Sequence, residues 1–389
     1  MTQRDSAKNI LDDKNAILAL DRTGLFKDES QFSENLMRAI DNVKAFKLPD
    51  KVSVRRRVIR YDDVKNVVFA GMGGSAIVGD LIRDWAEDKV KVPLETVRGY
   101  HLPAYADKDT LVFLISYSGN TEETLSCMLD AVNDCCKIVS ISSNGALKRA
   151  SDAISVPLIG VPKMAAARAS LPYLFAPLPY LLAELKILPI EMVAKEVNSA
   201  KNMVSELTRE FAIDVPFEKN RAKKLAYQMF GTVPIIYSYS PYRSVGLRFK
   251  TQINENCKLP ARFDTFPELN HNEIMGWEAS KQIIKHYTVI LLRSRDEPQE
   301  VKTRIDALKE KFFEKKARSV IELEAQGETL LARMFNLLFT ADMTSMYLSV
   351  LHRRDPVASE AFQLLKYEVT ERLQSLEKLE QQILKLASG

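Results

Sequence analysis

The sequence predicts an α/β protein built from two doubly wound domains, each a parallel sheet flanked by helices. Three observations carry that expectation. From residue 64 the chain alternates short apolar β-type runs with amphipathic helical runs, which is the rhythm of βαβ units and a parallel sheet. Two strand-to-helix turns, at 71–75 and 116–121, are rich in glycine and hydroxyls. A hydroxyl-rich turn of the same kind, S-Y-S-P-Y-R-S at 238–244, returns in the second half. This suggests a divergent duplication rather than a short-period repeat.

The stretch 111–125 reads L-V-F-L-I-S-Y-S-G-N-T-E-E-T-L. An apolar run ends in Ser116, Ser118, Gly119, Asn120 and Thr121, and a helical pattern begins with Glu122 and Glu123 in its first turn. A helix N-terminus offers unpaired backbone N–H groups and the positive end of a dipole. With hydroxyls around it, such a turn suits a phosphate. The turn holds no Lys or Arg, so the implied phosphate belongs to a small metabolite. Taken alone, the turn reads first as an ordinary helix cap.

A second turn shifts that balance. After the strand-like run 64–70 come Gly71, Met72, Gly73, Gly74 and Ser75, then an apolar helical pattern. Three glycines in four positions let a ligand approach the backbone closely. The pattern is neither the dinucleotide G-x-G-x-x-G nor a Walker A loop. Loops at the carboxyl ends of neighbouring strands meet at one crevice in an open parallel sheet. Gly74, Ser75, Ser116, Ser118 and Thr121 are therefore candidates for one phosphate pocket.

Composition bounds the rest. With 389 residues, 46% hydrophobic and 27% charged, the chain is an ordinary globular protein of two or three domains. Its 55 basic and 51 acidic residues leave a net charge of +4. No nucleic-acid or membrane partner is expected from so even a balance. The N-terminal residues lack a signal peptide's apolar core, and the expected location is cytoplasmic. The apolar stretches at 171–183 and 330–351 read as buried helices. Four cysteines without metal-ligand spacing read as reduced thiols.

In chain order, residues 1–47 carry two helical patches, at 10–20 and 32–43, expected to pack on the first domain. The basic run 51–60 reads as a solvated edge. Strands are expected at 64–70, 93–97, 111–115, 137–141 and 153–157, with helices at 76–87, 122–133 and 169–187. The expected division is a first domain over 48–205 and a second over 206–389. The second has strands at 232–237, 287–292 and 317–323, and a long helix from about residue 357 onward.

The second half supplies acid–base groups. Asn254-Glu255-Asn256 closes a helical run, and its carboxylate is a candidate general base. Pro267-Glu268-Leu269-Asn270-His271-Asn272-Glu273 is a polar loop holding one of only four histidines. The imidazole titrates in the right range for a proton shuttle. No second histidine forms a metal-ligand pair with it, so no metal and no other cofactor is expected.

The motifs G-M-G-G-S and S-Y-S-G-N-T-E-E-T are similar to the signature of sugar isomerase (SIS) domains. With N-E-N and P-E-L-N-H-N-E, the chain from about 64 to 366 resembles the bifunctional phosphoglucose/phosphomannose isomerase family. The resemblance implies interconversion of aldose and ketose phosphates through a cis-enediol. It implies that Glu255 moves the proton between C1 and C2, and that His271 opens the sugar ring from the partner subunit of a homodimer. Arg168, in A-A-R-A-S-L-P-Y, matches the arginine that steadies the enediolate. Lys366, in D-P-V-A-S-E-A-F-Q-L-L-K, matches the lysine that assists ring opening. Ser359 is the candidate hydroxyl for accepting both C2 epimers. Two alternatives stay open: a non-catalytic SIS-domain sensor of sugar phosphates, and an ammonia-independent amino-sugar phosphate isomerase.

Overall fold

The computed structural model describes residues 3–388, and the chain divides into two compact units. The first unit comprises Glu34–Lys195 with the helices Glu360–Leu373 and Ser375–Ser388. Strands β1 (Lys51–Val54) and β2 (Arg57–Arg60) form an antiparallel hairpin. The sheet consists of β3 (Asn66–Gly71), β4 (Leu94–Val97), β5 (Thr110–Ser116), β6 (Lys137–Ser142) and β7 (Leu158–Gly160). Its order is β4-β3-β5-β6-β7, and every pairing is parallel.

The central strands are continuous apolar runs because helices cover both faces of such a sheet. N-V-V-F-A-G in β3 and T-L-V-F-L-I-S in β5 are buried almost throughout. Phe69 and Phe113 stack across them, centroids 5.4 Å apart. On one face, Leu125, Met128 and Val132 from helix Glu122–Asn133 meet Val68, Val112 and Ile138. Ile383 joins this cluster with Leu376, Leu379 and Leu386, the 3–4 spacing of one helical stripe.

The second unit comprises Glu196–Ser359 with the helices Gln3–Asp12, Lys14–Leu20 and Leu25–Ser30. Its sheet holds β8 (Val233–Tyr239), β9 (Arg262–Phe266), β10 (Tyr287–Ser294) and β11 (Ser319–Ala325). The order is β11-β10-β8-β9, again all parallel. In both sheets the second strand lies outside the first and the third returns to the other side. The two units therefore share one winding, as the repeated turn suggested. A close approach repeats too. A Cβ on Gly79 would come 2.5 Å from Phe69, and one on Gly246 would come 2.5 Å from Phe263. Each glycine lies on the helix that follows the first strand of its sheet.

Helix Leu330–Leu351 runs through the second unit and is buried on nearly every side, polar Asp342, Thr344 and Ser345 included. Arg248 meets Asp342 through Nε at 3.0 Å and Nη2 at 2.7 Å, which satisfies both buried charges. No described helix is long and apolar enough to cross a membrane.

Several expectations are corrected. The first three helices group with the second unit, not the first. Asp12 Oδ1 accepts from Lys223 Nζ at 3.0 Å and Phe217 N at 2.8 Å, and Phe26 packs on Tyr347. The last two helices leave the second half and join the first unit, where Arg149 makes two hydrogen bonds to Glu380. The strand expected at 153–157 is the end of helix Gly145–Ile154, with β7 starting at Leu158. The helix expected at 169–187 is a 3₁₀ turn followed by Leu171–Phe175 and Pro177–Glu184, since proline cannot continue a helix ladder. Strand β9, R-F-D-T-F, had no sequence expectation because its alternating polar residues suit a partly exposed edge.

Candidate active site

Strands β3 and β5 are neighbours, with Gly71 opposite Ile115. The chain leaves β3 toward β4 on one side and later enters β5 on the other, so the crevice between their carboxyl ends is the sheet's switch point. Both turns singled out in the sequence open there. After β3, Met72 is extended and helix Gly73–Ala86 begins. After β5, residues 117–121 lead into helix Glu122–Asn133.

The hydroxyls bond to each other or to backbone N–H groups of the 116–121 turn rather than capping a helix. Ser75 Oγ accepts from Tyr117 N at 3.2 Å, which joins the two turns. Ser116 Oγ lies 2.8 Å from Thr121 Oγ1 and accepts from Gly119 N at 3.1 Å. Ser118 Oγ accepts from Asn120 N at 3.2 Å. Ser75 and Ser116 are buried and Ser118 is exposed. Neither Thr121 nor Met72, at the two N-cap positions, makes a side-chain capping bond. The ordinary-cap reading of these residues is therefore not what the geometry shows. Two helix N-termini open at one crevice without side-chain caps, which is the arrangement that favours an anion.

The turn is rigid. Gly119 has φ +68, and a Cβ there would lie 1.7 Å from Asn144 O, so no other residue fits. Ser143 donates to Tyr117 O through N at 3.1 Å and Oγ at 2.5 Å, and Ala146 N donates to Asn120 Oδ1 at 2.9 Å. The Tyr117 hydroxyl accepts from Met164 N at 2.8 Å and lies 3.0 Å from Met164 O. Tyr117 thereby anchors the segment leading to Arg168. Arg168 is buried in the 3₁₀ turn Ala167–Ser170, and its Cα would sit 3.5 Å from a Cβ on Gly74. Gly74, Ser75, Ser116, Ser118, Thr121 and Arg168 thus share one neighbourhood of the first unit.

In the second unit, helix Arg243–Gln252 widens into a π turn over Ile253–Cys257, a deviation that recurs at functional sites. Ile253, Asn256 and Cys257 are buried, whereas Glu255 is exposed between them. The asparagines of N-E-N hold backbone and neighbours. Asn254 Nδ2 donates to Leu259 O at 2.7 Å, and Asn256 Nδ2 donates to Ser345 Oγ at 2.8 Å. His271 is exposed just past the short 3₁₀ turn Glu268–Asn270. Its loop is held by Glu273, which accepts from Tyr237 Oη at 2.9 Å and Arg262 Nη2 at 2.6 Å. Burial raises the Tyr237 pKa well above the usual phenol value, so Tyr237 stays a neutral donor.

Lys366 lies on helix Glu360–Leu373 of the first unit and is exposed. Ser359 precedes that helix and is half-buried. The helix expected from about residue 357 does not begin there. Asp355 Oδ1 caps a turn by accepting from Val357 N at 2.8 Å and Ala358 N at 3.1 Å, and the helix starts only at Glu360. Tyr117 and Glu273 escaped the sequence reading as tethers. Both stand inside quoted motifs, but their partners are distant in sequence.

Residues 218–369 match the family model described as bacterial phospho-glucose isomerase C-terminal SIS domain. That span holds Glu255, His271, Ser359 and Lys366. The bifunctional phosphoglucose/phosphomannose isomerase of Caldicellulosiruptor bescii is 37% identical over 84% of this chain and 95% of its own. The enzyme of the same name from Aquifex aeolicus is 34% identical over 78% of this chain and 90% of its own. A solved glucose-6-phosphate isomerase like protein from Thermus thermophilus superposes with a TM-score of 0.55 at 20% identity, covering 90% of this chain and 98% of that one; this likeness concerns the fold alone. By the extent and level of these matches, the chain belongs to the bifunctional phosphoglucose/phosphomannose isomerase family of enzymes.

Proposed function

We propose that this protein interconverts glucose-6-phosphate and mannose-6-phosphate with fructose-6-phosphate, through a cis-enediol and without a metal ion. The observation that carries the reading is the crevice between β3 and β5. Two helix N-termini without side-chain caps, Gly74 and four hydroxyls gather there. A phosphate held by Gly74, Ser75, Ser116, Ser118 and Thr121 anchors the sugar, so binding energy serves orientation of distant carbons.

In this reading the first SIS-type domain binds phosphate and the second supplies the acid–base groups. Glu255 takes the proton from C2 of the aldose and returns it to C1, which needs one carboxylate on one face of the enediol. Arg168 steadies the developing oxyanion with its guanidinium charge. His271 of the partner subunit in a homodimer, with Lys366, opens the ring, and Ser359 accepts both C2 epimers. The exposure of His271 is compatible with donation to a second copy. A cytoplasmic setting is supported by four cysteines that are all free thiols.

The test is Glu255→Gln in the full chain. Isomerisation is expected to vanish while sugar-phosphate binding persists. Turnover retained at the wild-type rate contradicts the assignment.

A further inference from the structure

Glu255 is the exposed member of a tightly held turn, and two of the holding residues lie on one face of helix Leu330–Leu351. Asn256 Nδ2 donates to Ser345 Oγ at 2.8 Å. That hydroxyl is itself committed as a donor to Asp342 O at 2.7 Å, so its lone pair is directed at the amide. The next residue, Cys257, donates its thiol to Ser345 O at 3.0 Å. Ser345 therefore receives two successive residues of the π turn, those directly after Glu255. Asn256, Cys257 and Ser345 are all buried.

Asp342 lies three positions earlier, where a helix presents the same face. It receives Arg248 in a fork and Gln252 Nε2 at 2.9 Å. Past the turn, Lys258 enters the left-handed region at φ +56. Its ammonium donates to Glu255 O at 2.8 Å, Asp355 O at 2.7 Å and Pro356 O at 2.9 Å. The backbone carrying Glu255 is thus fixed on one side by buried polar groups, where satisfied networks impose one geometry, and on the other by the half-buried Lys258. A helix end without such anchors frays.

We propose that Ser345 is a positioning residue for the isomerisation, acting through Asn256 to aim the Glu255 carboxylate. The proposal deepens the function proposed above and rests on Glu255 as the base. Chemistry of this kind is sensitive to placement, since a misplacement of about 1 Å can cost on the order of 100-fold.

The experiment compares full-length Ser345→Ala, Asn256→Ala, Ser345→Thr and Glu255→Gln with the wild type. It records kcat and KM for fructose-6-phosphate, the pH profile of kcat, and Tm. Ser345→Ala and Asn256→Ala are expected to lower kcat by roughly 10- to 100-fold, with KM within about twofold because phosphate binding is untouched. The acidic limb of the kcat profile is expected to move, and Ser345→Thr, which keeps the hydroxyl, to recover most of the rate. An inactive Glu255→Gln beside Ser345→Ala and Asn256→Ala at full kcat, whatever their Tm, overturns the positioning role alone. Turnover retained by Glu255→Gln overturns the base assignment and the positioning role with it.

Discussion

The hydroxyl of Thr121 lies 2.8 Å from that of Ser116 and makes no capping bond to the helix it precedes. Two hydroxyls whose turn, taken alone, reads as a helix cap in the sequence are instead bonded to each other at the mouth of the β3–β5 crevice. The helix therefore starts without the side-chain cap that an ordinary N-terminus carries. The double variant Ser116→Ala, Thr121→Ala is expected to raise KM for fructose-6-phosphate with a smaller change in kcat. Each hydrogen bond to a charged group is worth about 1.5–3 kcal/mol. Steady-state kinetics check this, and an unchanged KM would return both residues to a purely structural role.

Gly119→Ala is expected to be more damaging than the loss of any single hydroxyl. The residue sits at φ +68, and an added Cβ would meet Asn144 O at 1.7 Å. The left-handed conformation alone costs about 1–2 kcal/mol, and the clash forces the turn apart from the loop after β6. Thermal melts should show a lower Tm, and kinetics a KM raised beyond that of the hydroxyl variants.

Arg168→Ala is expected to lower kcat by roughly 10²–10³, the cost of removing one oxyanion donor, while KM for the phosphorylated sugar changes less. Arg168→Lys should recover little, because a flexible ammonium does not reproduce a planar fork. Pre-steady-state rates of proton exchange at C2 would report the step directly. Full exchange rates in Arg168→Ala would remove the residue from the chemistry.

Asp342→Asn is expected to destabilise the second unit by about 3–5 kcal/mol, because Arg248 would keep its buried charge without a counter-charge. Denaturant titration measures the loss. A change under 1 kcal/mol would mean that water reaches the pair.

Thiol labelling offers a check on the cysteines. Burial pushes the Cys127 and Cys136 thiols up to about 12, and that of Cys257 above its usual range. The thiolate is the reactive form, so at pH 8 all three are expected to label slowly in the native protein. Cys135 is partly exposed and should label first. Four fast thiols in the native state would contradict the packing of both units.

Much of this architecture was legible in the chain. The apolar runs of β3 and β5 stood out as strands, since strands covered on both faces carry no polar alternation. The edge strand β9 lacks that signal and was missed. The prolines at 172, 177 and 179 were visible, but only the structure shows one 3₁₀ turn and two short helices where a single helix was expected. The stripes of the terminal helices announced burial without saying against which sheet: the patch at 32–43 stands in the first unit as expected, whereas the helices before it and the C-terminal pair went to the other unit than expected. At the site, hydroxyls, carboxylate and imidazole were readable as residue types. Their hydrogen bonds were not: Ser345, the anchor of Asn256, is 89 positions away along the chain.

The most direct measurement supplies fructose-6-phosphate to the purified protein in EDTA and follows glucose-6-phosphate and mannose-6-phosphate separately. The account predicts that both form. Turnover that requires an added metal ion would contradict the proposed metal-free cis-enediol route. Tight sugar-phosphate binding with no turnover at all would contradict the isomerase itself and leave a sensor.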